Sequence, residues 1–171
     1  MKIKAVIFDL DGTLLNTLDD LYLSVNHMLE KFGLPLRSKK EVRNFLGSGV
    51  KVLVDKSLPA SFDGNREECL SVFKEYYDKH ESDHTAPYDG IKAVLMKLHE
   101  KGVKSAIVSN KYDAAVKRLK EDYFGSLVDF AVGEGNGVRI KPAPDGVEKA
   151  LAELGVKKQE SVYAGDSEVD F

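Results

Sequence analysis

Short apolar runs and longer amphipathic stretches alternate along much of the chain. Residues 5–8 form a continuous apolar run, which is typical of a strand buried on both faces of a parallel sheet. Similar runs at 103–108, 128–132 and 161–164 predict three further strands, and segments with helical spacing separate them. Strands that alternate with helices predict an α/β fold with a mostly parallel sheet and crossover helices.

A block of purely helical spacing interrupts this alternation. Between residues 16 and 84 the apolar positions recur at intervals of three and four, and nothing there has the pattern of a strand. Glycine and proline mark the breaks between its helical stretches. We therefore predict a core domain formed by residues 1–15 and 85–171, with a helical cap domain, residues 16–84, inserted into it.

The composition narrows the class of protein. The chain has 171 residues, of which 43% are hydrophobic and 31% charged, as in soluble globular proteins. Its net charge of −3 offers no basic surface for nucleic acid or an anionic membrane. A single cysteine excludes an intrachain disulfide, and neither a membrane-length apolar stretch nor a signal-peptide pattern is present. We expect a cytoplasmic protein that binds neither nucleic acid nor membranes.

Polar side chains follow the predicted strands at their carboxyl ends. In a parallel sheet these ends meet at one edge, where open α/β folds place their ligands. A carboxylate there can attack phosphorus or bind Mg²⁺, while hydroxyl, amide and ammonium groups can donate to phosphoryl oxygens. Gly12 allows a sharp turn, and Thr13 offers a hydroxyl and a backbone N–H to an anion. The polar residues at this edge are Asp9, Asp11, Ser109, Asn110, Lys141, Asp166 and Asp170.

Each of these residues also has an ordinary structural interpretation. The first aspartates fit a solvated turn, Ser109 and Asn110 fit a helix cap, and Lys141 alone fits a surface lysine. Asp166 and Asp170 fit the start of a helix, where acidic residues are favoured by the dipole. Their joint position at the converging strand ends favours a shared functional site over four separate coincidences.

Four segments resemble the motifs of the haloacid dehalogenase (HAD) superfamily, most closely its phosphoglycolate-phosphatase-like branch. The resemblance spans the whole chain and includes a helical insert between the first two motifs. It implies a Rossmann-like HAD core with a helical cap and a Mg²⁺-dependent phosphatase that acts on a small phosphorylated metabolite, with 2-phosphoglycolate as the leading substrate. The segments are Asp9-Leu10-Asp11-Gly12-Thr13, Ser109-Asn110, Lys141-Pro142 and Gly165-Asp166-Ser167-Glu168-Val169-Asp170.

The resemblance also implies a role for each motif residue. Asp9 would be the nucleophile that forms an aspartyl-phosphate, and Asp11 the general acid and base. Asp9, the backbone carbonyl of Asp11 and Asp166 would hold Mg²⁺, and Asp170 would support the metal site. The residues expected to bind the phosphoryl group are Gly12, Thr13, Ser109, Asn110 and Lys141.

Asp11 separates the chemistries within the superfamily. Dehalogenase members lack this second aspartate because a halide leaves without a proton, so Asp11 favours phosphoryl transfer. Two alternatives remain open on the sequence. One is a phosphosugar mutase of the same superfamily, and the other is a catalytically idle binding remnant.

The end of the chain motivates the second alternative. In the family, a further helix and strand follow the fourth motif, whereas this sequence ends one residue after Asp170. We expect a core truncated at its C-terminal edge. The strand at 161–164 would then form an uncovered edge capable of self-association.

Overall fold

The computed structural model describes residues 2–135 and 137–170, and the chain divides into two compact units. The core unit comprises Met1–Asn16 and Ala86–Phe171, and the helical unit comprises Thr17–Thr85. In the core unit the strands are β1 (Ala5–Phe8), β2 (Leu15–Asn16), β3 (Ala86–Pro87), β4 (Lys104–Tyr112), β5 (Phe130–Glu134) and β6 (Ser161–Ala164). The helices are α1 (Leu18–Lys31), α2 (Lys39–Phe45), α3 (Val50–Ser57), α4 (Arg66–His80), α5 (Ile91–Glu100), α6 (Asp113–Phe124) and α7 (Asp145–Leu154).

Four parallel strands form the main sheet, in the order β5-β4-β1-β6. The central strand β1 pairs with both β4 and β6, so that Phe8 lies opposite Ile107 on one side and Ala164 on the other. The carboxyl ends of β1 and β6 therefore stop level with each other, beside the middle of the longer β4. This arrangement brings the polar residues after β1 and β6 to one edge of the sheet.

Helices cover both faces of this sheet. Because successive side chains of a strand point to opposite faces, Ile7 packs in a cluster with Leu151 and Leu154 of α7. Phe8 packs in the opposite cluster with residues of α5 and α6, including Leu95 and Leu119. The core is thus a three-layer α/β structure with a parallel sheet, and the predicted fold class is confirmed.

Two details of the core differ from the prediction. The strand expected to end at Val108 continues to Tyr112, with a shift in its register against β5 after Val108. Ser109 and Asn110 therefore lie within β4, because their backbone stays extended even though the apolar run has ended. A second, two-stranded antiparallel sheet pairs β2 with β3, where the chain leaves and re-enters the core unit.

The helical unit contains α1 to α4, and between residues 17 and 85 the structure has no strand. Its α2 begins with a capping box, in which the Ser38 side chain and Glu41 bond each other's backbone N–H groups. In the described part of the chain no helix is both long and apolar enough to span a membrane.

A buried carboxylate connects the two ends of the helical unit. Asp20, in the first turn of α1, is 1% exposed. It accepts hydrogen bonds from the backbone N–H groups of His84 and Thr85 and from the Thr85 hydroxyl, and one ring nitrogen of His84 lies 2.9 Å from Oδ1. The neighbouring Asp19 is instead half-exposed and pairs with Lys39.

Asp20→Ala is expected to lower the free energy of unfolding by about 2–4 kcal/mol, because several buried donors lose their acceptor at once. Asp19→Ala, in the same helical turn, is the matched control. It is expected to change the stability by less than about 1 kcal/mol, because its ion pair is exposed. Urea denaturation followed by far-ultraviolet circular dichroism measures both. Equal losses would show that the Asp20 contacts carry no special stability.

Candidate active site

The loop after β1 is fixed by its own backbone. The N–H of Asp9 donates to the carbonyl of Ala164 at the end of β6, at 2.9 Å. Leu10 is fully buried, and its carbonyl accepts from the N–H groups of Leu14 and Leu15, both at 3.0 Å. These contacts hold Asp9 at the end of the sheet with its side chain facing the site.

The Asp9 carboxylate is buried beside an ammonium group. Nζ of Lys141 lies 2.8 Å from its Oδ1, and the Asp9 side chain is 8% exposed. Burial raises the pKa of Asp9 from 3.8 to about 6, although the charge of Lys141 acts in the opposite direction. Among the described residues, none gives Oδ1 a hydrogen bond of suitable geometry, so this atom is satisfied only as an ion-pair partner.

Lys141 is held at both its side chain and its backbone. Its ammonium group contacts Oδ1 of Asp9, Oδ1 of Asp170 at 2.6 Å and the hydroxyl of Tyr163 at 3.1 Å. Three oxygens therefore surround this ammonium group, two as hydrogen-bond acceptors and Oδ1 of Asp9 as an ion-pair partner. The Asn110 side chain accepts from the backbone N–H of Lys141 at 2.6 Å and donates to its carbonyl at 3.2 Å. Asn110 thus positions Lys141, while its predicted contact with a phosphoryl group stays a prediction.

Asp170 lies on a short 3₁₀ turn, Glu168–Asp170, and its side chain is 1% exposed. It accepts hydrogen bonds from Lys141, from the Tyr163 hydroxyl and from both the N–H and the hydroxyl of Ser167. Burial acts to raise the pKa of Asp170, but the bonds from Lys141 and Ser167 outweigh it and lower the pKa. Gly165 makes room for this carboxylate, because a Cβ there would lie 2.3 Å from Cγ of Asp170.

Asp166 is exposed and contacts the loop after β1. The Thr13 hydroxyl donates to Oδ1 of Asp166 at 3.1 Å. Gly12 has φ +90°, and a Cβ at this position would lie 2.4 Å from Oδ2 of Asp166. Glycine is therefore required for both backbone conformation and space. The predicted binding of a phosphoryl group by Gly12 and Thr13 remains a prediction, since the structure places both against Asp166.

Two side chains at the site, the buried Lys111 and the partly buried Tyr163, were not predicted from the sequence. The hydroxyl of Tyr163, on β6, lies 3.0 Å from Oδ1 of Asp170 and 3.2 Å from the Val108 carbonyl, and its one proton can be donated to either. Burial raises the pKa of Tyr163 far above its ordinary value. Lys111, on β4, places Nζ 3.1 Å from Oδ1 of Asp11. Neither belongs to a motif that we singled out, and alternation along a strand was the only available signal for Tyr163.

The predicted residues thus form two groups. Asp9, Lys141, Asp166 and Asp170 come together, whereas the Asp11 carboxylate pairs with Lys111. Ser109 is buried close to this second pair, and its hydroxyl accepts from the N–H of Lys111 at 3.2 Å.

The first group has the properties of a divalent cation site. Asp9, Asp166 and Asp170 can each offer a carboxylate oxygen, and these atoms lie within 4.8 Å of one another. Carboxylate oxygens are the ligands that Mg²⁺ prefers. The buried Oδ1 of Asp9, which lacks a hydrogen bond, also fits a site that takes a cation. The predicted ligation through the backbone carbonyl of Asp11 stays a prediction.

Comparison with known proteins identifies the family. The family model for haloacid dehalogenase-like hydrolases matches residues 6–171. The chain belongs to the haloacid dehalogenase-like hydrolase family. The predicted family is therefore confirmed. A phosphoglycolate phosphatase of Aquifex aeolicus is 32% identical over 169 residues, covering 98% of this chain and 78% of that protein.

Other relatives and structures agree with this assignment. Pyrophosphatase PpaX of Halalkalibacterium halodurans is 31% identical over 172 residues, covering 100% of this chain and 78% of that protein. A crystal structure from Lactobacillus delbrueckii subsp. bulgaricus, assigned provisionally as a phosphoglycolate phosphatase, has a TM-score of 0.91 at 39% identity. It covers 99% of this chain and 81% of that chain. These names agree with the predicted enzyme class, a phosphatase among the HAD-like hydrolases.

Proposed function

We propose that this chain is a Mg²⁺-dependent phosphatase that hydrolyses a small phosphomonoester, with 2-phosphoglycolate as its leading substrate, through an aspartyl-phosphate. The observation that carries the proposal is the Asp9 carboxylate. It is buried at the end of the central strand, its Oδ1 lacks a hydrogen bond, and an ammonium group and two further carboxylates surround it. Such a group suits attack on phosphorus, because a carboxylate fixed at a strand end can form an aspartyl-phosphate.

The first step forms the covalent intermediate. A carboxylate oxygen of Asp9 forms a bond to phosphorus, and the bond from phosphorus to the leaving oxygen breaks with its electron pair on that oxygen. Asp11 gives its proton to the leaving oxygen, so the product departs as a neutral alcohol. Lys141 and the buried Ser109 hydroxyl stabilise the phosphoryl oxygens, and Lys141 also offsets the charge of the carboxylates.

The second step regenerates the enzyme. Asp11, now a carboxylate, accepts a proton from a water molecule as the water oxygen bonds to phosphorus. The bond between phosphorus and the Asp9 oxygen breaks, which releases inorganic phosphate and restores both aspartates. Asn110 contributes indirectly, because it fixes the backbone of Lys141.

The described acidic residues fit Mg²⁺, which Asp9, Asp166 and the carbonyl of Asp11 would hold, with support from Asp170. When bound, Mg²⁺ supplies positive charge that screens the phosphoryl oxygens from the nucleophile. Removal of divalent cations with EDTA is therefore expected to stop phosphate release, and added Mg²⁺ to restore it.

The choice of substrate rests on the relatives. Several proteins that are 31–36% identical to this chain are phosphoglycolate phosphatases, which favours 2-phosphoglycolate. Pyrophosphate is a second candidate, because two other relatives are pyrophosphatases at 31% and 32% identity. A sugar phosphate acted on by a mutase would be isomerised instead, with little free phosphate.

The test compares phosphate release from 2-phosphoglycolate, pyrophosphate and glucose 1-phosphate, with Mg²⁺ and with EDTA. We expect Mg²⁺-dependent release, with the highest kcat/KM for 2-phosphoglycolate. A higher kcat/KM for pyrophosphate would select the second candidate. Isomerisation of glucose 1-phosphate that depends on a sugar bisphosphate would indicate a mutase. Self-association without any turnover at saturating Mg²⁺ would indicate an idle remnant and refute the proposal.

A further inference from the structure

Lys111 is a buried cation that has no role in the proposed reaction steps. It lies on β4, two residues after Ser109, and its side chain is only 5% exposed. Its ammonium group lies 3.1 Å from Oδ1 of Asp11, whose side chain is 22% exposed. Lysine is rarely buried unless it is paired, so this contact accounts for a cation in the interior.

Each of the two aspartates after β1 thus lies beside the ammonium group of a buried lysine. Asp9 pairs with Lys141, which comes from the loop before α7, and Asp11 pairs with Lys111, which comes from β4. A neighbouring side chain holds the backbone of each lysine. Asn110 accepts from the N–H of Lys141, and the Ser109 hydroxyl accepts from the N–H of Lys111. The ion pair with Lys111 thus holds the partly exposed carboxylate of Asp11 in a defined position.

We propose that Lys111 is a positioning residue for Asp11, holding its carboxylate where it exchanges a proton with the leaving oxygen. The inference rests on the proposed phosphatase function. An aspartate in a turn can rotate about two side-chain bonds, and a fixed ammonium partner restricts that rotation. Because proton transfer needs an oxygen within hydrogen-bond reach of the leaving group, loss of the restriction lowers the rate of transfer.

This role predicts a dependence on the leaving group. A simple alkyl phosphate such as ethyl phosphate needs a proton on its leaving oxygen. p-Nitrophenyl phosphate does not, because nitrophenolate is a stable anion. In both cases kcat/KM reports the formation of the phosphoenzyme, and Lys111 matters in that step only when Asp11 must donate.

The experiment measures kcat/KM of Lys111→Met with ethyl phosphate, 2-phosphoglycolate and p-nitrophenyl phosphate. We expect a loss of about 100-fold with the first two and less than about threefold with the third, since general acid catalysis contributes about 10²–10⁴-fold. Lys111→Arg, which keeps the cation, is expected to recover most of the loss. In the Asp11→Asn background, Lys111→Met is expected to cause little further loss, because both act in the same step.

Other outcomes would overturn the inference. A loss confined to 2-phosphoglycolate, with a raised KM, would mean that Lys111 binds the substrate carboxylate. Equal losses with all three substrates, or additive losses in the Asp11→Asn background, would mean a structural role. If Lys111→Met does not fold, the Arg variant decides alone: it must retain the wild-type ratio between ethyl and p-nitrophenyl phosphate. A wild-type protein inactive with every phosphomonoester would instead refute the proposed function itself.

Discussion

Replacing Asp9 with Asn is expected to reduce phosphate release by on the order of 10⁴-fold or more, as for other residues that form a covalent intermediate. The amide is nearly the same size as the carboxylate, but its oxygen is too weak a nucleophile to displace an alkoxide. Asp89→Asn is the matched control, because Asp89 is an exposed residue of the core unit. Phosphate release from 2-phosphoglycolate measures both variants. Residual activity of Asp9→Asn within tenfold of wild type would refute the assigned nucleophile.

The same substitution is expected to stabilise the metal-free protein at neutral pH. Burial raises the pKa of Asp9 to about 6 in the folded state, against 3.8 for an ordinary aspartate. Between these two values the folded protein retains a proton that the unfolded chain has lost. Stability therefore falls as the pH rises through this window, and the full penalty is present above about pH 6. Asparagine carries no such penalty, so the variant is expected to be more stable at pH 7 by on the order of 2–3 kcal/mol.

Urea denaturation in EDTA, at several pH values from about 4 to 7, measures this effect by linkage. The difference in unfolding free energy between Asp9→Asn and wild type is expected to grow across that range and then to level off. A constant difference would mean that Asp9 does not titrate there. Together, loss of activity and gain of stability distinguish a functional carboxylate from a structural one, whose removal would lower both.

The sequence predicted at which edge of the sheet the site forms, because the ends of the strands can be recognised from local hydrophobic patterns. An apolar run ending at Phe8 and another ending at Ala164 are recognisable as buried strands, and parallel strands end at the same side of a sheet. Asp9 directly follows the first run, and Asp166 and Asp170 lie in the short segment after the second. The parallel sheet alone places these residues at one edge, and their proximity follows once β6 lies beside β1.

The partners of these residues could not be predicted in the same way. Tyr163 reaches Lys141 because β6 lies beside β1, and the order of strands in a sheet depends on tertiary packing. Lys111 was missed because β4 continues beyond its apolar run, which hides the register of its last residues. Asn110 was recognised as a donor, but residue type alone does not tell whether a donor serves a ligand or the backbone of Lys141.

Lys141→Met is expected to damage both stability and activity, in contrast to Asp9→Asn. Removing one member of a buried ion pair costs about 3–5 kcal/mol, because the remaining charge stays buried without a partner. Here two carboxylates, Asp9 and Asp170, lose the same ammonium group. Lys149→Met is the matched control, since Lys149 is exposed on α7. Urea denaturation in EDTA measures the stability of both variants.

The stability of Lys141→Met relative to wild type is expected to depend on pH. Lys141 lowers the pKa of Asp9 and also that of Asp170, so its loss lets the pKa of both carboxyls rise. At low pH, protonation removes the unpaired charges from the variant. Its loss of unfolding free energy relative to wild type is therefore expected to grow as the pH rises from about 4 to 8. A loss of unfolding free energy that does not change with pH would mean that methionine destabilises the fold through packing and not through unpaired charges.

Phosphate release separates the catalytic contribution of Lys141 from its effect on folding. Activity of Lys141→Met is expected to fall by about 10³-fold even at temperatures where the variant is fully folded, because the ammonium group of Lys141 no longer faces the transferring group. Lys141→Arg keeps the charge, but its planar guanidinium cannot reproduce three contacts from one nitrogen. It is expected to recover stability more fully than activity. Full recovery of both would mean that only the net charge matters, and that the placement of the ammonium by Asn110 and Tyr163 does not.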